Sequence, residues 1–156
     1  MSANELVRRA ESSLACKNHV SVIADCTSAI KLQPDCFLAY FYRGKAKYEL
    51  RDYEGAIIDF TRAIGMRQDF AQAYHSRALA KTSTADYRGA VADLTKTINL
   101  NGDDAEAYFD RGAAYLGLGQ KSEAIAGFER AMKLGFRIPP ELMRMLYQKC
   151  MVTRNS

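Results

Sequence analysis

Apolar residues along this chain recur at spacings of three and four, and that pattern itself recurs every 34 residues. Between 37 and 70, Tyr40, Gly44 and Tyr48 fall on one helical face, and Ala56, Phe60, Ala63 and Ile64 fall on the face of a following segment. Such spacing predicts two amphipathic helices, with Leu50-Arg51-Asp52-Tyr53 as a short polar turn between them. Shifting by 34 carries Tyr40, Arg43 and Gly44 onto Tyr74, Arg77 and Ala78, then onto Tyr108, Arg111 and Gly112. The second half follows: Ala56-Ile57-Ile58-Asp59-Phe60 becomes Ala90-Val91-Ala92-Asp93-Leu94, then Ala124-Ile125-Ala126-Gly127-Phe128. One step backward gives Val22-Ile23-Ala24-Asp25-Cys26. A fixed period with matched small, aromatic and aliphatic positions marks a stacked repeat array. The expected units are 3–36, 37–70, 71–104 and 105–138, in one domain spanning 1–156.

Small residues explain how each pair of helices meets. Gly44, Ala78 and Gly112 are expected to face Ala56, Ala90 and Ala124, because only a minimal side chain lets two helix backbones approach closely. Asp52, Asp86 and Gln120 recur at the turn, where an Asp can accept from the open amides of the second helix. The first helix is dominated by Asn4, Glu5, Arg8, Arg9, Glu11, Ser12 and Ser13, the polar outer surface that a terminal unit needs. After Gly135, Pro139-Pro140 stops one helix and primes another over 139–152. Leu142, Met143, Leu146, Tyr147 and Cys150 share its broad apolar face, either as a cap on the fourth unit or as a contact with a second copy or a partner.

The pattern resembles the tetratricopeptide repeat, a 34-residue helix-turn-helix unit with an aromatic, a small residue, then Ala, Phe and Pro at set places. The second and fourth units match well (Tyr40, Gly44, Ala56, Phe60, Ala63; Tyr108, Gly112, Tyr115, Ala124, Phe128, Ala131) and the third fairly, with Ala78 and Thr97. The first departs, with Leu6, Ala10, Val22 and Cys26, although its closing Pro34 fits. The resemblance implies an all-α, right-handed α-solenoid of four repeats plus a capping helix, with the first helix of each unit lining a concave face. That register selects Asn4, Val7, Arg8 and Glu11; Leu38, Phe41, Tyr42, Lys45 and Glu49; Gln72, His75, Ser76 and Leu79; and Glu106, Phe109, Asp110 and Ala113 as groove residues. Family members that hold acidic chaperone tails use a clamp of Lys, Asn and Arg. Those places hold Val7, Glu11, Tyr42, Gln72 and Ser76 in one alignment and Phe41, Lys45, Ser76, Glu106 and Asp110 in the other, which disfavours that ligand.

Composition narrows the function classes. A net charge of +4, from 22 basic and 18 scattered acidic residues, does not form a nucleic-acid footprint. The longest apolar run, Cys36 to Tyr42, is too short to cross a bilayer, and the opening residues carry no apolar signal core. Cys16, Cys26, Cys36 and Cys150 form no Cys-x-x-Cys pair, so no structural metal site is expected, and packed, reduced thiols in a cytoplasmic protein are the reading. His19 and His75 stand near no nucleophile at motif spacing, and there is no phosphate loop or cofactor signature, so the chain is not read as an enzyme. Asn101-Gly102-Asp103-Asp104 is a turn and helix cap rather than a calcium loop.

Arg43, Arg77 and Arg111 allow two readings. They form either a ladder for an acidic ligand or ion pairs within the fold. Arg9, Arg43 and Arg77 precede Asp25, Asp59 and Asp93 by a constant 16 residues, which favours pairing; Arg111 meets Gly127 and loses that option. The expected function is thus a non-catalytic module that binds a peptide or helix of a partner protein in the groove, as an adaptor or scaffold. The alternative is a homodimer formed through the face of Leu142, Met143, Leu146 and Tyr147.

Overall fold

The computed structural model describes the backbone of residues 1–152 and the side chains of residues 1–148. Among the described residues the chain is all-α, with nine helices: α1 (Ala3–Ala15), α2 (His19–Leu32), α3 (Phe37–Glu49), α4 (Tyr53–Met66), α5 (Ala71–Ser83), α6 (Tyr87–Leu100), α7 (Ala105–Gly117), α8 (Lys121–Lys133) and α9 (Pro140–Val152). The odd-numbered helices from α1 to α7 begin at Ala3, Phe37, Ala71 and Ala105, the starts that the 34-residue period predicts. Contacts divide the chain into two compact units, Met1–Thr84 and Ala85–Ser156.

Local chemistry sets the helix ends. Ser2 and Glu5 form a reciprocal capping box at α1: the Ser2 N–H donates to Glu5 at 2.6 Å and the Glu5 N–H donates to Ser2 Oγ at 3.3 Å. Those bonds hold the Glu5 carboxyl below its ordinary pKa. Asn18, Asp52, Asp86 and Asp104 cap α2, α4, α6 and α7 by accepting from the amides of Ser21, Gly55, Gly89 and Ala107. Gln120 makes no such bond at α8. The turns after α1, α3, α5 and α7 each place one residue at positive φ: Lys17 at 57°, Arg51 at 64°, Ala85 at 61° and Gly119 at 75°. Around Arg51 the Asp52 N–H reaches Lys47 O at 2.9 Å and the Arg51 N–H reaches Tyr48 O at 2.9 Å, the paired bonds that close a helix through a left-handed residue. Only the last of these turns has the glycine that avoids the left-handed cost of roughly 1–2 kcal/mol.

In the unit Met1–Thr84, the walls between helices are built largely of alanine. Ala10, Ala29, Ala39, Ala46, Ala56 and Ala63 are all fully buried. Phe60 is 1% exposed, and its ring lies over Gly44: a Cβ placed there would stand 2.8 Å from the ring. The expected partner of Gly44 was Ala56; the ring four residues further on takes that place because its flat face needs a surface without a side chain. Cys26 and Cys36 are buried, but Cys16 is exposed, contrary to the packed thiol expected for it; it falls at the C-cap of α1, where the chain turns outward.

In the unit Ala85–Ser156, Phe128 repeats the arrangement over Gly112, and the Ala124 carbonyl lies 3.0 Å from where a Gly112 Cβ would be. Ile138, Met143 and Leu146 join Phe128, Ala124 and Ala131 in one buried cluster, so α9 covers α8 with its apolar face. Tyr147 donates its hydroxyl hydrogen to Glu129 of α8, which raises the tyrosine pKa. The Cys150 side chain, expected on the same face, lies outside the described residues.

Adding one methyl at either ring contact tests this packing. Gly44→Ala and Gly112→Ala should each destabilise by about 1–3 kcal/mol through overpacking. Gly65→Ala in α4, where no atom lies within 4 Å of the new methyl, should instead stabilise by about 0.5–1 kcal/mol. Urea denaturation midpoints separate the two signs.

Candidate partner-binding site

The recurrent arginines are built into the fold. Arg43 of α3 grips Asp59 of α4 with two bonds, Nε to Oδ2 at 2.9 Å and NH2 to Oδ1 at 2.7 Å. Lys47, one turn along, adds Nζ to Asp59 Oδ2 at 2.8 Å. Asp59 is 1% exposed, so it is a buried charge between two cations whose side chains still reach solvent at 18% and 22%. The carboxylate bond raises the Arg43 pKa further above its usual range. Arg9 binds Asp25 the same way at 2.7 and 2.5 Å, but its side chain is 53% exposed.

A further rung was not read from the sequence. Arg43, Arg77 and Arg111 each donate through NH1 to a threonine 16 residues before them: Thr27 at 3.3 Å, Thr61 at 3.1 Å and Thr95 at 3.2 Å. Each arginine also lies over the ring of the tyrosine three residues before it, at 5.5–5.6 Å for Tyr40, Tyr74 and Tyr108. The signal was present, since Thr27, Thr61 and Thr95 are themselves 34 apart. Arg111 is the exception in α7/α8. With Gly127 in the aspartate position, its buried Nε has no hydrogen-bond partner.

The expected groove residues are placed unit by unit. In Met1–Thr84, Arg8, Glu11 and Lys45 are exposed, and Leu38, His75, Ser76 and Leu79 are half-buried. Tyr42 donates its hydroxyl hydrogen to Glu11 Oε1 at 2.7 Å, tying α3 to α1. Burial first, and the Glu11 carboxylate second, push the Tyr42 pKa up to about 12. Phe41 does not stand free as a groove anchor: it is 5% exposed, with its ring centre 4.7 Å from that of Phe70 and 6.0 Å from that of Phe60. Its ring fills the crevice between those two, and only its outer face carries the Lys45 ammonium, 5.6 Å from the ring centre. A cleft of about 110 Å³ opens between α3 and α5, lined by Lys45, Tyr48, Glu49, Phe60, Ser76 and Leu79.

In Ala85–Ser156, Glu106 is exposed and Phe109 and Asp110 are half-buried on α7. Phe109 stacks on Phe136 at 4.6 Å and tilts against Phe128 at 5.3 Å, so its ring also serves the core of its unit. Of the face expected to oligomerise, Met143 and Leu146 are buried and Leu142 packs against the same cluster. Tyr147 is 44% exposed.

A tetratricopeptide repeat model matches residues 24–74 and a second one matches residues 105–135, together more than half of the chain. The chain belongs to the tetratricopeptide repeat family. No curated protein sequence matches it. Among solved structures it is similar to the crystal structure of MamA, with a TM-score of 0.81, 24% identity, and coverage of 85% of this chain and 77% of that one. MamA (41-end) from Desulfovibrio magneticus RS-1 gives a TM-score of 0.80 at 20% identity, covering 85% and 75%. The first TPR of Spaghetti (RPAP3), bound to the HSP90 peptide SRMEEVD, gives 0.70 at 23% identity, covering 74% and 93%. At these identities the likeness is one of fold. No described helix is long and apolar enough to cross a membrane.

Two measurements probe this chemistry. Replacing both Arg43 and Lys47 by Met leaves Asp59 buried without a partner and should cost about 3–5 kcal/mol. Asp59→Ala should cost less, because the two cations it leaves can turn to solvent; denaturant titrations of the three proteins rank them. Burial also pushes the Cys26 thiol from 9.0 up to about 12, and Tyr42 rises from 10.0 to about 12. Both groups therefore hold their protons more tightly when folded. Their contribution is complete below the unfolded values and is lost as pH rises through the folded ones. Stability should fall between pH 9 and about 12, and Cys26→Ala should delay the onset of that fall toward pH 10.

Proposed function

We propose that this tetratricopeptide repeat protein is a non-catalytic interaction module that holds an extended peptide or a helix of a partner protein against the faces selected above, as an adaptor or scaffold. The observation that carries the reading is the cleft between α3 and α5, where apolar walls from Phe60, Tyr48 and Leu79 meet polar groups of Lys45, Glu49 and Ser76. That mixture of apolar burial and a few placed polar groups is what a peptide needs. The Spaghetti domain of the same fold, bound to its peptide, supports the same class of ligand here.

An acidic tail of that kind finds little support in this chain. Val7, at one clamp place, is 6% exposed, and Tyr42 and Glu11, at two more, are bonded to each other. Dimerisation through α9 has less to draw on than peptide binding, because Met143 and Leu146 are already covered within their own unit. The division into four 34-residue units with α9 as a cap belongs to the same proposal, supported by the helix starts. A cytoplasmic setting is also part of it, supported by the free thiols of Cys16, Cys26 and Cys36.

A photo-reactive benzoylphenylalanine placed at Arg8 or Gln72, on the proposed face, should crosslink to a partner protein in the source cells. The same group at Ile58, which is 62% exposed on α4, should not. Crosslinks arising from Ile58 and absent from Arg8 and Gln72 would sink the reading.

A further inference from the structure

We propose that the α3/α5 cleft is a selectivity pocket for one branched aliphatic side chain, presented by an uncharged stretch of peptide. The inference rests on the peptide-binding reading and deepens it by naming what this part of the site accepts.

Size comes first. A cavity of about 150 Å³ lined by Leu, Ile and Phe takes benzene. The cleft here is about 110 Å³. It therefore suits a branched side chain of three or four carbons, such as that of valine, leucine or isoleucine, and it is smaller than the cavity that takes a six-carbon ring. Its walls suit that occupant: the Phe60 ring is 1% exposed, and Tyr48 is braced against Tyr53 at 5.4 Å between ring centres. Phe60 is backed in turn by the Phe41 ring at 6.0 Å, so both walls rest on a neighbouring ring.

Charge comes second. Lys45 and Glu49 are both exposed and stand one helical turn apart on α3, so the rim carries opposite charges and no net charge. A carboxylate drawn to Lys45 meets repulsion from Glu49. A peptide unit satisfies both, because its C=O accepts from the ammonium while its N–H donates to the carboxylate. The Ser76 hydroxyl on α5 supplies a further donor or acceptor across the mouth. The complementary ligand is thus a neutral peptide backbone bearing an aliphatic side chain, not an acidic tail.

The test uses the full chain with labelled methyl groups and reads the Leu79 methyls and the Ser76 amide by NMR. N-acetyl-leucine-N′-methylamide should shift both saturably and bind at least about tenfold tighter than its glycine counterpart, the factor expected for burying an aliphatic side chain. The phenylalanine counterpart should not reach saturation, and N-acetyl-leucine with a free carboxylate should bind no tighter than the amide. Ser76→Phe should abolish the Leu79 methyl shift and Leu79→Phe the Ser76 amide shift, each by filling the cleft, while signals from Ala85–Ser156 stay in place, which controls for unfolding. Equal binding of the phenylalanine and leucine probes, tighter binding of the free carboxylate, or unchanged shifts in both filled variants would overturn the proposal. If the leucine probe leaves Leu79 unmoved while Arg8 and Gln72 still crosslink to a protein, the pocket falls and the peptide-binding reading stands. If the probe binds and no crosslink forms, that wider reading falls and the pocket stands.

Discussion

Each well-matched helix pair depends on an aromatic ring lying against a glycine of the neighbouring helix. The Phe60 ring is 2.8 Å from where a Gly44 Cβ would be, and the Phe128 ring is 2.9 Å from the same point on Gly112. The contact links two opposed demands. A phenyl ring buried to 1% exposure removes a large apolar area from water. The same ring has room only where the opposite helix offers bare backbone, and mid-helix glycine costs about 1 kcal/mol in propensity relative to alanine. Burial of the ring exceeds that cost, which explains why glycine recurs at one register. The alanines around the crossing follow from it: once the ring fixes how near the helices lie, Ala56 and Ala63, fully buried in the same cluster as Phe60, leave no space for larger residues.

That closeness has a consequence for charge. In α7/α8 a second glycine, Gly127, stands 3.1 Å (at its Cβ position) from Gly112 Cα. The corresponding residue of α3/α4 is Asp59, the carboxylate held by Arg43 and Lys47. The fourth pair thus brings backbone against backbone where the second keeps an ion pair, and Arg111 is left with a buried Nε that nothing accepts from. Close packing and charge pairing compete for one position, and the two pairs resolve the competition differently.

Much of this was legible in the sequence because a repeat repeats its errors as well as its rules. Helix starts, the capping aspartates Asp52 and Asp86, and the 16-residue Arg–Asp offset of Arg9 and Arg43 could all be checked against copies of themselves. What escaped was set by side-chain reach rather than by register. A register gives the direction of each Cα–Cβ bond, so Phe41 was placed on the groove face with Leu38 and Lys45. Its ring is long enough to fold back between Phe60 and Phe70, and there it is buried. Tyr42 was placed on the same face but bonds across to Glu11, a contact between helices that no single-helix pattern contains. The left-handed turn residues Lys17 and Arg51 were hidden for a different reason: the turn takes that shape to satisfy helix carbonyls whether or not glycine is supplied.

These contacts decide what kind of selectivity the proposed groove has. The arginines that looked like a ladder for an anion are engaged within the protein: Arg43 with Asp59, Thr27 and Tyr40, Arg77 with Thr61 and Tyr74, and Arg111 with Thr95 and Tyr108. Among the expected groove residues of Met1–Thr84 the exposed cations are Arg8 and Lys45, and each is followed within one turn by an acid, Glu11 and Glu49. A surface of alternating charge attracts neither an acidic nor a basic segment strongly, and salt screens what attraction there is. Binding energy must then come from apolar area removed from water and from backbone hydrogen bonds, both of which depend on fit. The same small residues that let the helices approach one another leave the Phe60 ring as a cleft wall between α3 and α5, so the fold's own packing rule shapes the surface on which recognition depends.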